Sequence, residues 1–189
     1  DAMDLAWKIA AVIDGWGGAR LLESYEIERR PIATRNVEEA TRNLRREQSF
    51  IPGAAINQDS ADGAHQRELF RQSLLDADVM RHHDTDGIAL GYRYDGSPVI
   101  WQDQTAAPTD EVRDYQPTTR PGHRAPHAWI SKDRSTLDLF GDGFTLMSFG
   151  APAEASETFL RATKSRVVPL TVNPVSQPEI AKLYERRLV

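Results

Sequence analysis

Three short stretches of this chain concentrate residue types that could do chemistry. GWGGAR (15–20) comes close to the loop that brings backbone amides up to a dinucleotide pyrophosphate. That loop needs a strand before it, a third glycine where Arg20 stands, and an acidic residue at the end of a second strand about twenty positions on. Helical patterns lie on both sides of GWGGAR, so it reads as a connection between helices. His82-His83-Asp84-Thr85-Asp86 holds two imidazoles and two carboxylates, which are zinc and iron ligands by type. Adjacent side chains diverge, and no i,i+4 histidine pair accompanies them, so a cationic helix end followed by a polar turn is the plainer account and no metal is expected. In YQPTTRPGHRAPHAW (115–129), Arg120, His123, Arg124 and His127 interleave with three prolines. These cations could grip a carboxylate or a phosphate. The stretch offers neither a helix N-terminus nor a glycine nest, and it reads as a stiff strap whose arginines bond to neighbouring carbonyls. No residue of the chain is expected to be catalytic.

The elements that would position these residues follow from hydrophobic period. In DAMDLAWKIAAVI (1–13) ten residues are apolar, and Asp1, Asp4 and Lys8 share one narrow helical stripe, which predicts a helix covered on most of its surface. Asp14-Gly15 ends it. A second amphipathic stretch runs from Ala19 to about Gln48, with Leu22, Tyr25, Ile32, Ala33, Val37, Ala40 and Leu44 toward one face and a kink or break expected at Pro31. A loop (51–63) precedes a third helix at about 64–81. Alternation of Ile88, Leu90, Tyr92 and Tyr94, then Asp95-Gly96, then 97–101, predicts a hairpin. Ser135–Phe140 reads as a short apolar element, with a turn at 141–143. A strand at 144–149, a helix begun by Pro152, a strand at 167–172, a helix begun by Pro178 and a strand starting at Leu188 then predict a parallel β-α-β-α-β core.

Composition narrows the function classes. The chain has 189 residues, 40% hydrophobic and 27% charged, and carries 23 basic against 28 acidic side chains, a net charge of −5. Nucleic acid and anionic membrane are not expected partners. With no cysteine, thiol and disulfide chemistry is excluded, as a cytoplasmic location allows. The first helix is too short for a bilayer and lacks the features of a signal peptide. So apolar a helix normally sits inside a larger domain, and a strand beginning at Leu188 leaves its sheet unfinished. The expectation is therefore a piece of a longer chain, open at both ends.

DAMDLAWKIAAVIDG…LLESYEIERRPIA (1–33), LGYRYDGSPVI (90–100), TRPGHRAPHAW (119–129) and STLDLFGDGFTLM (135–147) occur in this order. Together they resemble the C-terminal part of the FAD-dependent aromatic hydroxylases, the class A flavoprotein monooxygenases of the phenol and polyketide hydroxylase branch. The resemblance implies an α+β chain made of the helical C-terminal segment of a flavin domain (1–86), a hairpin and Pro-rich connector (87–127), and an incomplete thioredoxin-like α/β domain (128–189). Phe149-Gly150-Ala151-Pro152 would lie where a thioredoxin carries its cysteines. The implied reaction has NAD(P)H reduce FAD, oxygen react with the reduced flavin, and a hydroxyl pass to a phenolic ring.

Asp1, Ala2 and Asp4 fall on the family motif near the cofactor, at a helix N-terminus whose amides face the flavin in this reading. The residues themselves also support N-capping and pairing with Lys8. Glu28, Arg29, Arg30 and Pro31 match a block that reads as structural. The nucleotide fingerprint and the ring-binding sheet would lie upstream, so the missing N-terminal flavin and substrate regions become partners, a small aromatic molecule is the substrate of the parent, and the fragment alone is inactive and binds no cofactor. A homodimer is possible in this reading, and a non-catalytic thioredoxin-like interaction module is the alternative.

Overall fold

The computed structural model describes residues 1–49, 52–75, 83–141, 143–164 and 170–189. Its helices are α1 (Ala2–Ile13), α2 (Arg20–Ser49), α3 (Ala61–Leu75), α4 (Asp86–Leu90), α5 (Ala153–Lys164) and α6 (Pro178–Tyr184). Its strands are β1 (Trp129–Ser131), β2 (Arg134–Ser135), β3 (Phe144–Ser148) and β4 (Leu170–Pro174). This is a mixed α+β chain with two small sheets, β1-β2 antiparallel and β3-β4 parallel. No described helix is long and apolar enough to cross a membrane. The chain divides into two compact units, one of Asp1–Arg29, Tyr92–Thr109 and Gln116–Val189, the other of Arg30–Gly91 and Asp110–Tyr115.

In the first unit, α1 lies on its polar stripe. Lys8 and Ala11 are fully buried, while Met3 is 82% and Ile13 77% exposed. The helix expected to be covered on most of its surface is thus open along its apolar side within this chain, because Lys8 finds buried partners on α2. Its end is built by glycine. Gly15 takes φ +80°, and the amides of Trp16 and Gly17 both donate to the Ala11 carbonyl, at 3.1 and 2.7 Å. A Cβ on Gly17 would stand 2.8 Å from the Val12 nitrogen.

Helix α2 runs through Pro31 as one element, so of the expected kink or break the break does not occur. Its seam also differs from the predicted apolar face: Leu21, Ser24, Glu28, Ile32 and Glu39 are buried, and Val37 and Leu44 are exposed. The buried set keeps the i,i+3/i+4 spacing of a helix face, but polar side chains with fixed partners displace the larger aliphatics from it.

The expected hairpin does not form. Asp86–Leu90 is a helical turn, whose Gly87 and Ile88 amides donate to the carbonyls of Arg113 and Val112, both at 3.3 Å. A Cβ on Gly87 would lie 2.0 Å from the Glu111 carbonyl oxygen. In the first unit, Asp95-Gly96 is a turn with Gly96 at φ +76°, yet the backbone partner of Arg93 and Tyr94 is the Pro-rich strap: Arg93 bridges His123, and the Tyr94 amide donates to the Gly122 carbonyl at 3.0 Å. Pro98 lacks the amide proton that a second hairpin arm would need.

The C-terminal part of the first unit is close to its expected order. Pro178 opens α6, β3 pairs with β4 in register from Phe144↔Leu170 to Ser148↔Pro174, and α5 connects them. Residue 142 of the predicted turn, residues 167–169 of the predicted second strand and residues 76–81 of the predicted third helix lie outside the described residues. The predicted element at 135–140 appears as β2 and a 3₁₀ turn, Thr136–Leu139, closed by a capping box between Ser135 and Asp138. The last arm departs from a parallel core. Leu188 bridges Ser148 antiparallel, and the Met147 and Val189 amides and carbonyls exchange bonds of 2.8 and 3.1 Å. Met147, Phe149, Val175, Ile180 and Tyr184 form the core, with the Phe149 and Tyr184 rings stacked at 4.7 Å and the Tyr184 hydroxyl donating to the Pro126 carbonyl at 2.6 Å.

Candidate functional site

The densest polar constellation joins α1, α2 and the turn after Tyr94, all in the first unit. Lys8 is fully buried and Glu28 is 3% exposed. The Lys8 ammonium donates to Glu28 Oε2 at 2.5 Å and to Ser24 Oγ, and it stands 5.1 Å from the centroid of the Trp7 ring. Ser24 Oγ in turn donates a hydrogen bond to the Leu21 carbonyl at 2.6 Å, and Ser97 Oγ donates to Glu28 Oε1 at 2.6 Å. Every charge here is paired and hydrogen-bonded, the condition under which a buried ion pair is tolerated.

One turn earlier on α1 a second cluster forms. The Tyr94 hydroxyl donates to Asp4 Oδ1 at 2.6 Å and accepts from Arg29 Nη1 at 3.1 Å. Arg29 Nε donates to Asp1 Oδ1 at 2.8 Å and lies 3.8 Å from Asp4 Oδ2, while its guanidinium packs over the Tyr92 and Tyr94 rings at 5.6 and 6.0 Å. Burial pushes the Tyr94 phenol up, and its hydrogen bond to the Asp4 carboxylate adds to that, so the group stays neutral. Burial also pushes the Asp4 carboxyl up, but the Tyr94 hydrogen bond and the Arg29 charge together outweigh it and hold Asp4 below its ordinary value.

The expected site residues Asp1, Ala2 and Asp4 therefore sit at the start of α1, but not in the arrangement expected from their spacing. Asp1 makes no side-chain cap, and Lys8 turns to Glu28 rather than Asp4. The two carboxylates are bound by Arg29 and Tyr94, while the uncapped first-turn amides of α1 remain as donors. All four of these partners lie in the quoted blocks, Glu28 and Arg29 in 1–33 and Tyr94 and Ser97 in 90–100, but nothing in the blocks pairs them. Tyr94 is ninety positions from Asp4 and Ser97 sixty-nine from Glu28, and no local period signals either.

The cations of the strap are not gathered into an anion cradle. Arg120 donates from Nη1 to Asp95 Oδ1 at 2.6 Å and from Nε to the Thr105 carbonyl at 3.1 Å, and Arg93 holds the other Asp95 oxygen at 2.9 Å. Burial holds the His123 imidazole below its ordinary pKa. His127 stacks edge-on against Trp129 at 5.1 Å. Of the histidine-aspartate cluster, His82 lies outside the described residues and Asp84 is 3.8 Å from Arg113. No group of three metal-ligating side chains occurs among the described residues.

Beside these clusters a cavity of about 520 Å³ opens between α1, the Gly17-Gly18 loop and residues 98–100. One wall is aromatic. Trp7 and Trp16 lie within 16° of parallel with centroids 6.3 Å apart, and Phe144 meets each of them edge-on at 6.0 Å. GWGGAR thus serves as a close-packed helix-to-helix loop and a cavity wall.

Comparison with known proteins places this helical pair in a flavoprotein context. The FAD binding domain family matches residues 1–40. The FAD-dependent monooxygenase apdD of Emericella nidulans is 33% identical over 91% of this chain and 29% of its own length, and a putative polyketide hydroxylase of Streptomyces halstedii is 35% identical over 90% and 28%. The structure of the rebeccamycin biosynthetic enzyme RebC with reduced flavin superposes with a TM-score of 0.84 at 40% identity, over 99% of this chain and 34% of that one. Aklavinone-11 hydroxylase in complex with FAD and aklavinone gives 0.59 at 29% identity, over 97% and 31%. The chain is similar to part of the FAD-dependent monooxygenases, among relatives that include polyketide hydroxylases. It spans about a third of the length of the curated relatives it matches.

Proposed function

We propose that this chain is the C-terminal portion of an FAD- and NAD(P)H-dependent monooxygenase that hydroxylates a phenolic or polyketide aromatic ring in the cytoplasm. The observation that carries this reading is the FAD-binding family match at residues 1–40, which falls on the helical pair locked by Lys8 and Glu28. FAD, when bound in the parent, supplies oxygen activation and hydroxyl transfer with electrons from NAD(P)H. The part played by this chain is orientation. Asp1, Ala2 and Asp4 present the start of α1 to the cofactor, the free first-turn amides offer donors and a positive dipole end to its acceptor atoms, and Arg29 and Tyr94 fix the two carboxylates so that the helix end cannot swing. Residues 128–189 act as a thioredoxin-like module with no redox role, since the chain has no cysteine.

Neither a dinucleotide fold nor a ring-binding sheet is among the described elements, so purified 1–189 is expected to be colourless and inert toward NAD(P)H. Absorbance after FAD addition and gel filtration tests this, and stoichiometric retention of FAD would overturn the assignment of the cofactor site. A second reading, a non-catalytic module used for dimer contacts, is favoured by the exposed Met3 and Ile13 on α1. Sedimentation velocity across concentrations separates the two, because a strict monomer removes the second.

A further inference from the structure

We propose that His123 is an acid-operated latch, at which a proton on the ring releases the Pro-rich strap from the turn at 93–95. The backbone joint it sits in is tight. Arg93 bridges His123 antiparallel, and the Tyr94 amide donates to the Gly122 carbonyl at 3.0 Å. Gly122 takes φ +84°, and a Cβ there would stand 3.2 Å from the Tyr94 carbonyl oxygen. Two guanidiniums complete the joint. Arg120 and Arg93 share the Asp95 carboxylate at 2.6 and 2.9 Å. Each also reaches a carbonyl of the following loop, Arg120 Nε that of Thr105 at 3.1 Å and Arg93 Nη1 that of Pro108 at 2.8 Å. Strap, turn and loop are thus held at one node, and Val99 and Ile100 of the same loop wall the cavity.

The ring faces this node with Nδ1, 3.4 Å from Arg120 Nη1. A guanidinium only donates, so Nδ1 accepts there while the ring is neutral. Nε2 is buried with no hydrogen-bond partner among the described residues. Protonation aims a donor at a donor, sets a third cation beside two that share one carboxylate, and leaves Nε2 without an acceptor for the new charge. The charged groups facing the ring are Arg93 and Asp95 from the turn and Arg120 from the strap. Burial opposes the cation most, the two guanidiniums side with it, and the Pro121 carbonyl and Asp95 do not offset them, so the imidazole is held below its ordinary 6.5. The closed joint therefore keeps its full stability above pH 6.5 and loses it as pH falls from there through the lowered value. Asp95 stays charged over this range: burial raises its carboxyl, but the Arg120 hydrogen bond and the two guanidinium charges outweigh it and hold it below 3.8. The latch rests on no part of the proposed function.

The test follows the whole chain by NMR from about pH 7.5 to about pH 5, reading the His123 ring titration and the hydrogen exchange of the Tyr94 and His123 amides. The ring is expected to titrate below 6.5. Exchange of both amides, corrected for its intrinsic pH dependence, should accelerate below that value by at most about tenfold per pH unit, the limit for one linked proton. The Met147 amide, bonded to the Val189 carbonyl in the core, should stay protected. His123→Gln keeps a neutral hydrogen-bonding side chain and should remove the acceleration. If that variant fails to fold, two others read the same node: Arg120→Met should raise the ring midpoint and Asp95→Asn should lower it further, opposite shifts that a merely packed ring would not show. The proposal is overturned by a ring midpoint at or above 6.5, by acceleration that persists in folded His123→Gln, by Met147 exchanging in step with Tyr94, or by shifts of one sign in the two node variants.

Discussion

Replacing Glu28 with Gln tests the link between the two leading helices most directly. The substitution keeps the shape and the acceptor for Ser97, but it leaves the fully buried Lys8 ammonium with Ser24 and the Trp7 face as its partners. Removing one member of a buried ion pair costs about 3–5 kcal/mol because the other charge stays desolvated. Against a total stability of about 5–15 kcal/mol that is a large fraction. In a chain of this length each kcal/mol moves Tm by about 2–4 °C, so a fall of roughly 6–20 °C is expected. Urea unfolding followed by tryptophan fluorescence reads the change, since the Trp7 ring lies 5.1 Å from the Lys8 ammonium and Trp16 packs on Trp7. The double variant Lys8→Met with Glu28→Leu should recover most of the loss, because the buried charges are then gone together. A loss below about 1 kcal/mol for Glu28→Gln, the range of solvated pairs, or a double variant less stable than the single one, would refute the claim that this pair is dry and mutually dependent.

Tyr94→Phe removes the donor to Asp4 and should cost about 1–2 kcal/mol at neutral pH, allowing for the partial exposure of the carboxylate. Asp4 is held below its ordinary 3.8, so that contribution is present above this value and fades as pH falls through the lowered one. The phenol is raised from 10.0, so its share is present below pH 10 and is lost as pH rises toward the raised value. Urea midpoints of the two proteins should therefore differ most near neutrality and converge in acid, and a constant gap down to pH 2 would contradict the assignment. Gly17→Ala should destabilise by about 1–3 kcal/mol, because its Cβ would meet the Val12 nitrogen at 2.8 Å and Leu21 Cδ2 at 2.9 Å, whereas Gly18→Ala, with nothing within 4 Å, should be neutral. Thermal melts of the pair check this, and equal effects would mean that the loop relaxes freely.

Local period located α1, α3, α5 and α6 and the strand at 144–148, because a helix or strand face needs only neighbouring residues to declare itself. It failed where a short alternation had two possible partners. The residues from Ile88 to Tyr94 alternate as a strand would, yet the amides of Gly87 and Ile88 are taken by carbonyls of residues 112–113, and those near Tyr94 by the strap at 122–123. Burial on α2 was misassigned for a related reason: the apolar residues marked one face, but Lys8 draws Ser24 and Glu28 inward from another.

What the sequence determined by itself was composition-level and block-level: a cysteine-free α+β chain, and four ordered segments resembling one part of the flavin-dependent hydroxylases. These depend only on which residues are present and in what order. The tertiary structure alone decided that α1 rests on its charged stripe with its apolar side open, that Tyr94 and Ser97 serve Asp4 and Glu28 from far along the chain, and that the last arm pairs antiparallel. A buried charge goes where its counter-charge and hydrogen bonds are, and those partners lie twenty to ninety residues away, beyond the reach of any local pattern.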